Sequence, residues 1–298
     1  MELSIFNFYD AQIYSFSSKL TMIKHFSYNS ERGHKMGLSL YGADLEANTP
    51  TILYIHGFKG FKDWGFVPFL GEQLAAAGIR MLAMNFSHNG IGDSPGEFTE
   101  LEKFRNNTFS LEVEEAQEIF DKYRKGKLFG AAVGTKMAVL GHSRGGGVAL
   151  LAFCGHPQAK GICTWASVSN FARYPKEVID RWRKDGELEI KNARTGQVMH
   201  LGWQIHEDLM AHADGKLNIK KAVSECTKPL CIIHGEGDKA VSSDDARAIF
   251  EWADNAQAEL HLLPETGHTF DAKHPFAGSN PALDTVIRHT IKFFKQQF

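Results

Sequence analysis

The sequence lacks any unbroken apolar run of about 18 residues, so no membrane-spanning helix is expected from it. It also lacks an excess of either charge. Against 33 Lys and Arg stand 35 Asp and Glu, a net charge of −2. That balance gives no general attraction to nucleic acid or to an anionic membrane. Cysteine is scarce. Cys154, Cys163, Cys226 and Cys231 form no C-x-x-C pair, and no Cys/His spacing matches a zinc module. Reduced thiols in a cytoplasmic protein are the expected state, with Cys163 and Cys231 inside apolar runs that read as buried strands. The opening MELSIFNFYDAQIYS has no basic stretch followed by an apolar core, so no signal peptide is expected. Glycine (28) and proline (9) are too ordinary for a collagenous or low-complexity chain. The 298 residues suggest two domains by length alone, a weak guide for α/β folds.

What is present is an alternation. After two short antiparallel strands (Met22–Tyr28 and Lys35–Gly42), apolar runs take turns with amphipathic segments. Strands are expected at Thr51–Ile55, Ile79–Phe86, Lys136–Leu140, Gly161–Ala166, Pro229–His234 and Leu260–Leu263. Helices are expected at Phe66–Ala77, from Asn107 or Thr108 to Tyr123, at Arg144–Phe153, after Ser242/Ser243, and at the end of the chain. Apolar rather than alternating strands, separated by helices, predict a mostly parallel sheet covered on both faces. Residues 169–227 break the rhythm. They are polar, contain Trp182 and Trp203, show no clean strand, and read as a helical lid inserted into a single domain of residues 1–298.

In open α/β sheets, ligands gather at the carboxyl ends of the strands. After the Lys136–Leu140 run comes Gly141-His142-Ser143-Arg144-Gly145, a G-x-S-x-G between strand and helix. Such a turn lifts the serine hydroxyl above the sheet and aims the next N–H at a developing oxyanion. A second G-x-S-x-G, Gly92-Asp93-Ser94-Pro95-Gly96, fails on chemistry. Pro95 has no N–H, the preceding strand ends too early, and no apolar helix begins at Ser94. Ser143 is therefore the candidate nucleophile.

A serine needs an imidazole to take its proton, and the imidazole needs a carboxylate to hold its tautomer. Asp238 follows the Pro229–His234 strand and His268 follows Leu260–Leu263, in the order Ser, acid, base. The alternatives are weaker. His234 and His261 lie in strands, and His142 should point away from the serine. His206 and His212 are not at the i, i+4 spacing of a metal pair. His274 remains the rival base and Glu236 the rival acid, while Asp244 and Asp245 suit a helix N-terminus.

The strand Thr51–Ile55 ends in His56-Gly57-Phe58. Together, H-G-F, G-H-S-R-G-G, H-G-E-G-D and E-T-G-H resemble the α/β-hydrolase superfamily over about residues 51–298, the insertion excepted. The finer likeness is to its dienelactone-hydrolase-related and cinnamoyl (feruloyl) esterase-like branch. The resemblance implies the triad Ser143, Asp238 and His268. It implies an oxyanion hole from the N–H groups of Phe58 and Arg144, and it makes Gly90–Gly96 a structural loop. Dienelactone hydrolases carry a cysteine nucleophile, so serine at position 143 does not imply dienelactone chemistry.

The expected activity is hydrolysis of small-molecule carboxylic esters with small or aromatic acyl groups, without metal or cofactor. Trp203 is a candidate wall of an acyl pocket, although packing of the insertion onto the sheet is the slightly favoured reading of it. An amide or peptide hydrolase of prolyl-oligopeptidase-like type is the alternative, but the chain has no room for a propeller. A binding protein reusing the pocket is a third reading. Oligomeric state is not legible in the sequence.

Overall fold

The structure is a computed structural model, and it describes residues 8–9, 13–14 and 21–298 apart from 95, 129–135 and 194. In chain order the strands are β1 (Phe8–Tyr9), β2 (Ile13–Tyr14), β3 (Thr21–Asn29), β4 (Lys35–Tyr41), β5 (Thr51–Ile55) and β6 (Arg80–Met84). They continue as β7 (Met137–His142), β8 (Ala159–Trp165), β9 (Glu187–Lys191), β10 (Val198–Gly202), β11 (Leu230–Gly235) and β12 (Ala258–Leu263). The helices are α1 (Val67–Ala76), α2 (Leu101–Arg105), α3 (Phe109–Arg124), α4 (Arg144–Phe153) and α5 (Lys176–Asp185). After them come α6 (Gln204–His212), α7 (Ile219–Ser224), α8 (Ser243–Trp252) and α9 (Pro281–Gln297).

The main sheet runs β3-β4-β6-β5-β7-β8-β11-β12, with β1 and β2 each paired to β3. From β6 to β12 all neighbours are parallel, while β3 and β4 run antiparallel. The unbroken apolar runs have the expected cause. Along β5, Leu53 and Ile55 enter one core with α3 and α4, while Ile52 and Tyr54 enter the other with α1 and α9. Every residue of β5, β6, β7 and β11 is buried, as both-face coverage requires. Helix starts follow capping chemistry. Thr108, Ser242 and Asn280 each accept a backbone N–H from the first turn of α3, α8 and α9. All four cysteines are free and buried. No described helix is long and apolar enough to cross a membrane.

Residues 169–227 differ from expectation. Besides α5, α6 and α7 they contain an antiparallel hairpin, β9–β10, so the insertion is mixed rather than helical. Its period-two signal is short: Leu188, Met199 and Leu201 turn inward while Glu189 and Val198 face out. Trp182 is buried beneath it and donates its indole N–H to the Leu201 carbonyl at 2.9 Å. The insertion docks through polar bonds. Arg105 pairs with Glu187 at 2.9 Å, Gln204 donates to the Arg105 carbonyl at 2.6 Å, and Lys59 reaches the Lys191 carbonyl at 3.3 Å.

Candidate active site

Because β5, β7, β11 and β12 are parallel, their outgoing loops all emerge on one edge of the sheet. Ser143 sits between β7 and α4 at φ 57° and ψ −122°, a left-handed conformation that costs a non-glycine residue about 1–3 kcal/mol. Its N–H donates to the Trp165 carbonyl at 2.8 Å. The flanking glycines are needed for close approach. A Cβ on Gly141 would lie 2.2 Å from the Gly145 oxygen, and one on Gly145 would lie 2.4 Å from the oxygens of Ile55 and His56.

Three side chains from three loops meet here. His268 Nε2 lies 3.0 Å from Ser143 Oγ, and His268 Nδ1 lies 2.6 Å from Asp238 Oδ2. The Asp238 side chain is fully buried. Its Oδ1 accepts the N–H groups of Ala240 and Val241 at 2.8 and 3.0 Å. Burial alone would raise this carboxyl's pKa. The bonds from His234 and His268, the charge of His268 and the Val241 N–H outweigh it and hold the carboxyl well below the usual range. Asp238 is thus an anion that fixes the Nδ1–H tautomer of His268 and leaves Nε2 to accept from the serine.

The His56-Gly57-Phe58 loop lies directly against the serine. A Cβ on Gly57 would come within 2.8 Å of Ser143 Cβ. His56 props this loop: Nδ1–H donates to the Gly57 carbonyl at 2.8 Å, and Nε2 accepts from Asn89 at 3.2 Å. Burial pushes its pKa down to about 4, so it stays neutral. The Arg144 guanidinium stacks 4.1 Å from the centre of the Phe58 ring, which also stacks on Phe104 at 5.6 Å. The same guanidinium lies 3.5 Å from the carboxylate of Glu112, which is buried on α3. Burial raises the pKa of Glu112, and Arg144 and Asn107 oppose that rise.

No protein-family model and no curated protein matches the sequence. Solved structures do match. Est1E from Butyrivibrio proteoclasticus, solved with ferulic acid, is 21% identical with a TM-score of 0.67, covering 91% of this chain and 98% of its own. Dienelactone hydrolase from Anabaena variabilis is 15% identical with a TM-score of 0.60, covering 97% of this chain and 100% of its own. The mouse α/β hydrolase domain-containing protein 10 is 16% identical with a TM-score of 0.64, covering 91% of this chain and 98% of its own. The chain has the α/β-hydrolase fold.

Within this α/β-hydrolase fold the rival residues fall elsewhere. His274 accepts the Gly65 N–H at 2.9 Å and stacks on Trp64. Glu236 pairs with Arg247. Asp245 receives the N–H and hydroxyl of Ser169 at 2.6 Å. Ser94 lies in an exposed loop, and its neighbour Pro95 is outside the described residues. Trp203 packs on Trp182 at 5.8 Å and on His206 at 4.5 Å within the insertion. Two supporting histidines had no clear sequence signal. His142, expected to point away, donates Nε2–H to the His268 carbonyl at 3.1 Å, and its ring lies 5.0 Å from the His268 ring. His234 is packed as expected, but it also touches Asp238 Oδ2 at 3.3 Å while donating to the Val241 carbonyl. Glu112 was also missed, because an acidic residue in the first turn of a helix is accounted for by the helix N-terminus and carries no mark of a distant arginine.

Proposed function

We propose that this protein is a serine hydrolase that cleaves small-molecule carboxylic esters with small or aromatic acyl groups. The observation that carries the reading is the unbroken chain Asp238–His268–Ser143, at 2.6 and 3.0 Å, on a strained strand–helix turn. Ser143 Oγ attacks the ester carbonyl as His268 Nε2 takes its proton. The negative charge on the carbonyl oxygen is met by the N–H groups of Phe58 and Arg144. His268, now cationic against Asp238, protonates the leaving alcohol, and an acyl group stays on Ser143. Water then enters, gives its proton to His268 and releases the acid. Residues 1–298 act as a single cytoplasmic domain, and residues 169–227, Trp203 included, form a lid over the acyl pocket. The ester preference is supported by the esterases among the structural neighbours, Est1E with its ferulic acid above all.

The test is turnover of p-nitrophenyl butyrate and methyl ferulate by Ser143→Ala. Loss of several powers of ten in kcat, with a fluorophosphonate adduct mapped to Ser143 in the wild type, is the expected result. Retained turnover, or an adduct at Ser94, refutes the assignment.

A further inference from the structure

Two glutamates on α3, one turn apart, are buried: Glu112 at 4% and Glu115 at 2% exposure. Glu112 has Arg144 as counter-charge. Glu115 has none, since no described lysine or arginine pairs with it. A buried carboxylate without a cation is costly. Its neighbours are of another kind. Imidazoles of His34 and His88 face it, and one ligand atom from each of the three residues lies within 4.8 Å of the others.

The surroundings suit a bound ion. His34 Nδ1 lies 3.8 Å from Glu115 Oε1, is buried, and has no hydrogen-bond partner. The two imidazole rings meet edge-on at 4.8 Å. The His34 backbone is pinned on both sides by Ser30, through N–H to Oγ at 3.0 Å and carbonyl to N–H at 2.8 Å. Ser87 holds the other two residues. Its N–H donates to Glu115 Oε2 at 2.9 Å, and its hydroxyl donates to Glu115 Oε1 and touches His88 Nδ1 at 2.7 Å. Such an outer ring of bonds orients metal ligands.

We propose that His34, His88 and Glu115 form a binding site for a divalent transition cation of the zinc class. Two imidazoles and one carboxylate are a borderline donor set that suits Zn²⁺ rather than Ca²⁺ or Mg²⁺. Tetrahedral ligands about 2.0–2.1 Å from zinc stand roughly 3.4 Å apart, so the His34–Glu115 pair has only to close by a few tenths of an ångström. The fourth position is left to water. The ion would join the start of β4, the loop after β6 and α3. Its ligands are not among the side chains that meet at Ser143. The sequence hides it because the ligands stand at positions 34, 88 and 115, with no motif spacing.

The experiment is Zn²⁺ binding to the chelator-stripped full chain, by equilibrium dialysis and by melting. One equivalent is expected to bind. At a free zinc concentration a hundred times Kd, the folded-to-unfolded ratio should rise about a hundredfold. Co²⁺ should give a visible absorption band that His34→Gln and His88→Gln each abolish. Both variants sit at partly exposed positions, and circular dichroism of their metal-free forms checks that they fold. Ser143→Ala should bind as the wild type does. So should His261→Ala, which disrupts the competing cluster of Cys231, Glu259 and His261. The proposal is overturned by no bound equivalent, by binding that survives both glutamine variants, or by loss only in His261→Ala.

Discussion

Asp238→Asn isolates what the buried carboxylate contributes. Both of its oxygens are engaged: Ala240 and Val241 N–H donate to Oδ1, and His268 Nδ1–H donates to Oδ2, which His234 Nε2 also approaches at 3.3 Å. An asparagine has one oxygen. Turned toward the histidines, it would set its NH₂ against the two backbone N–H groups, donor facing donor, and lose both of those bonds. The favoured orientation keeps the oxygen on the backbone and presents NH₂ to His268. His268 then accepts at Nδ1 and carries its proton on Nε2, facing Ser143 Oγ, so it cannot act as base. Loss of the productive tautomer should lower kcat by about 10⁴, or about 5.5 kcal/mol of transition-state stabilisation, with KM little changed. Initial rates on p-nitrophenyl butyrate, with circular dichroism to verify folding, test this. A fall of less than tenfold in kcat would refute the reasoning, because His268 would then owe its tautomer to another group.

Two further outcomes follow from packing and titration. Gly145→Ala places a Cβ 2.4 Å from two backbone oxygens at the end of β5, so it should cost about 3 kcal/mol or more. A melting temperature within about 2 °C of wild type would contradict that. His142 has its pKa pushed down from 6.5 to about 3, first by burial and then by the charge of His268. The unfolded chain therefore gains a proton below pH 6.5 that the folded chain refuses until about pH 3, and stability falls as pH drops through that window. His142→Gln keeps a donor for the His268 carbonyl without titrating. Between pH 7 and pH 4 it should lose about 3 kcal/mol less than wild type in urea unfolding.

The three side chains that meet at the β7–α4 turn could be picked out in the sequence because each is local punctuation. Gly141 and Gly145 bracket Ser143, and Asp238 and His268 follow short runs whose length suits strands. The parallel sheet was legible for the same reason, since the apolar residues of β5 and β11 run consecutively rather than at alternate positions, and both strands are buried throughout. The β9–β10 hairpin was not. Its strands are five residues each, and their inward side chains join a core with Trp182 and Phe104 that no local spacing announces. The props of the site were hidden for a related reason. Arg144 meets Glu112 across 32 residues, and His142 meets the His268 carbonyl across 126. Such pairs are made by topology, and no local pattern of the chain records them.

The stack of Arg144 on Phe58 joins two properties that enzymes often keep apart. The residues whose N–H groups are proposed to receive the oxyanion are also clamped to each other through their side chains, one on the β5 loop and one on α4. A substitution that removes either side chain loosens the partner backbone as well. Under the proposed chemistry, a change at position 58 or 144 should therefore lower the rate, whereas a change in the insertion, where Trp203 and the hairpin sit, leaves that clamp in place.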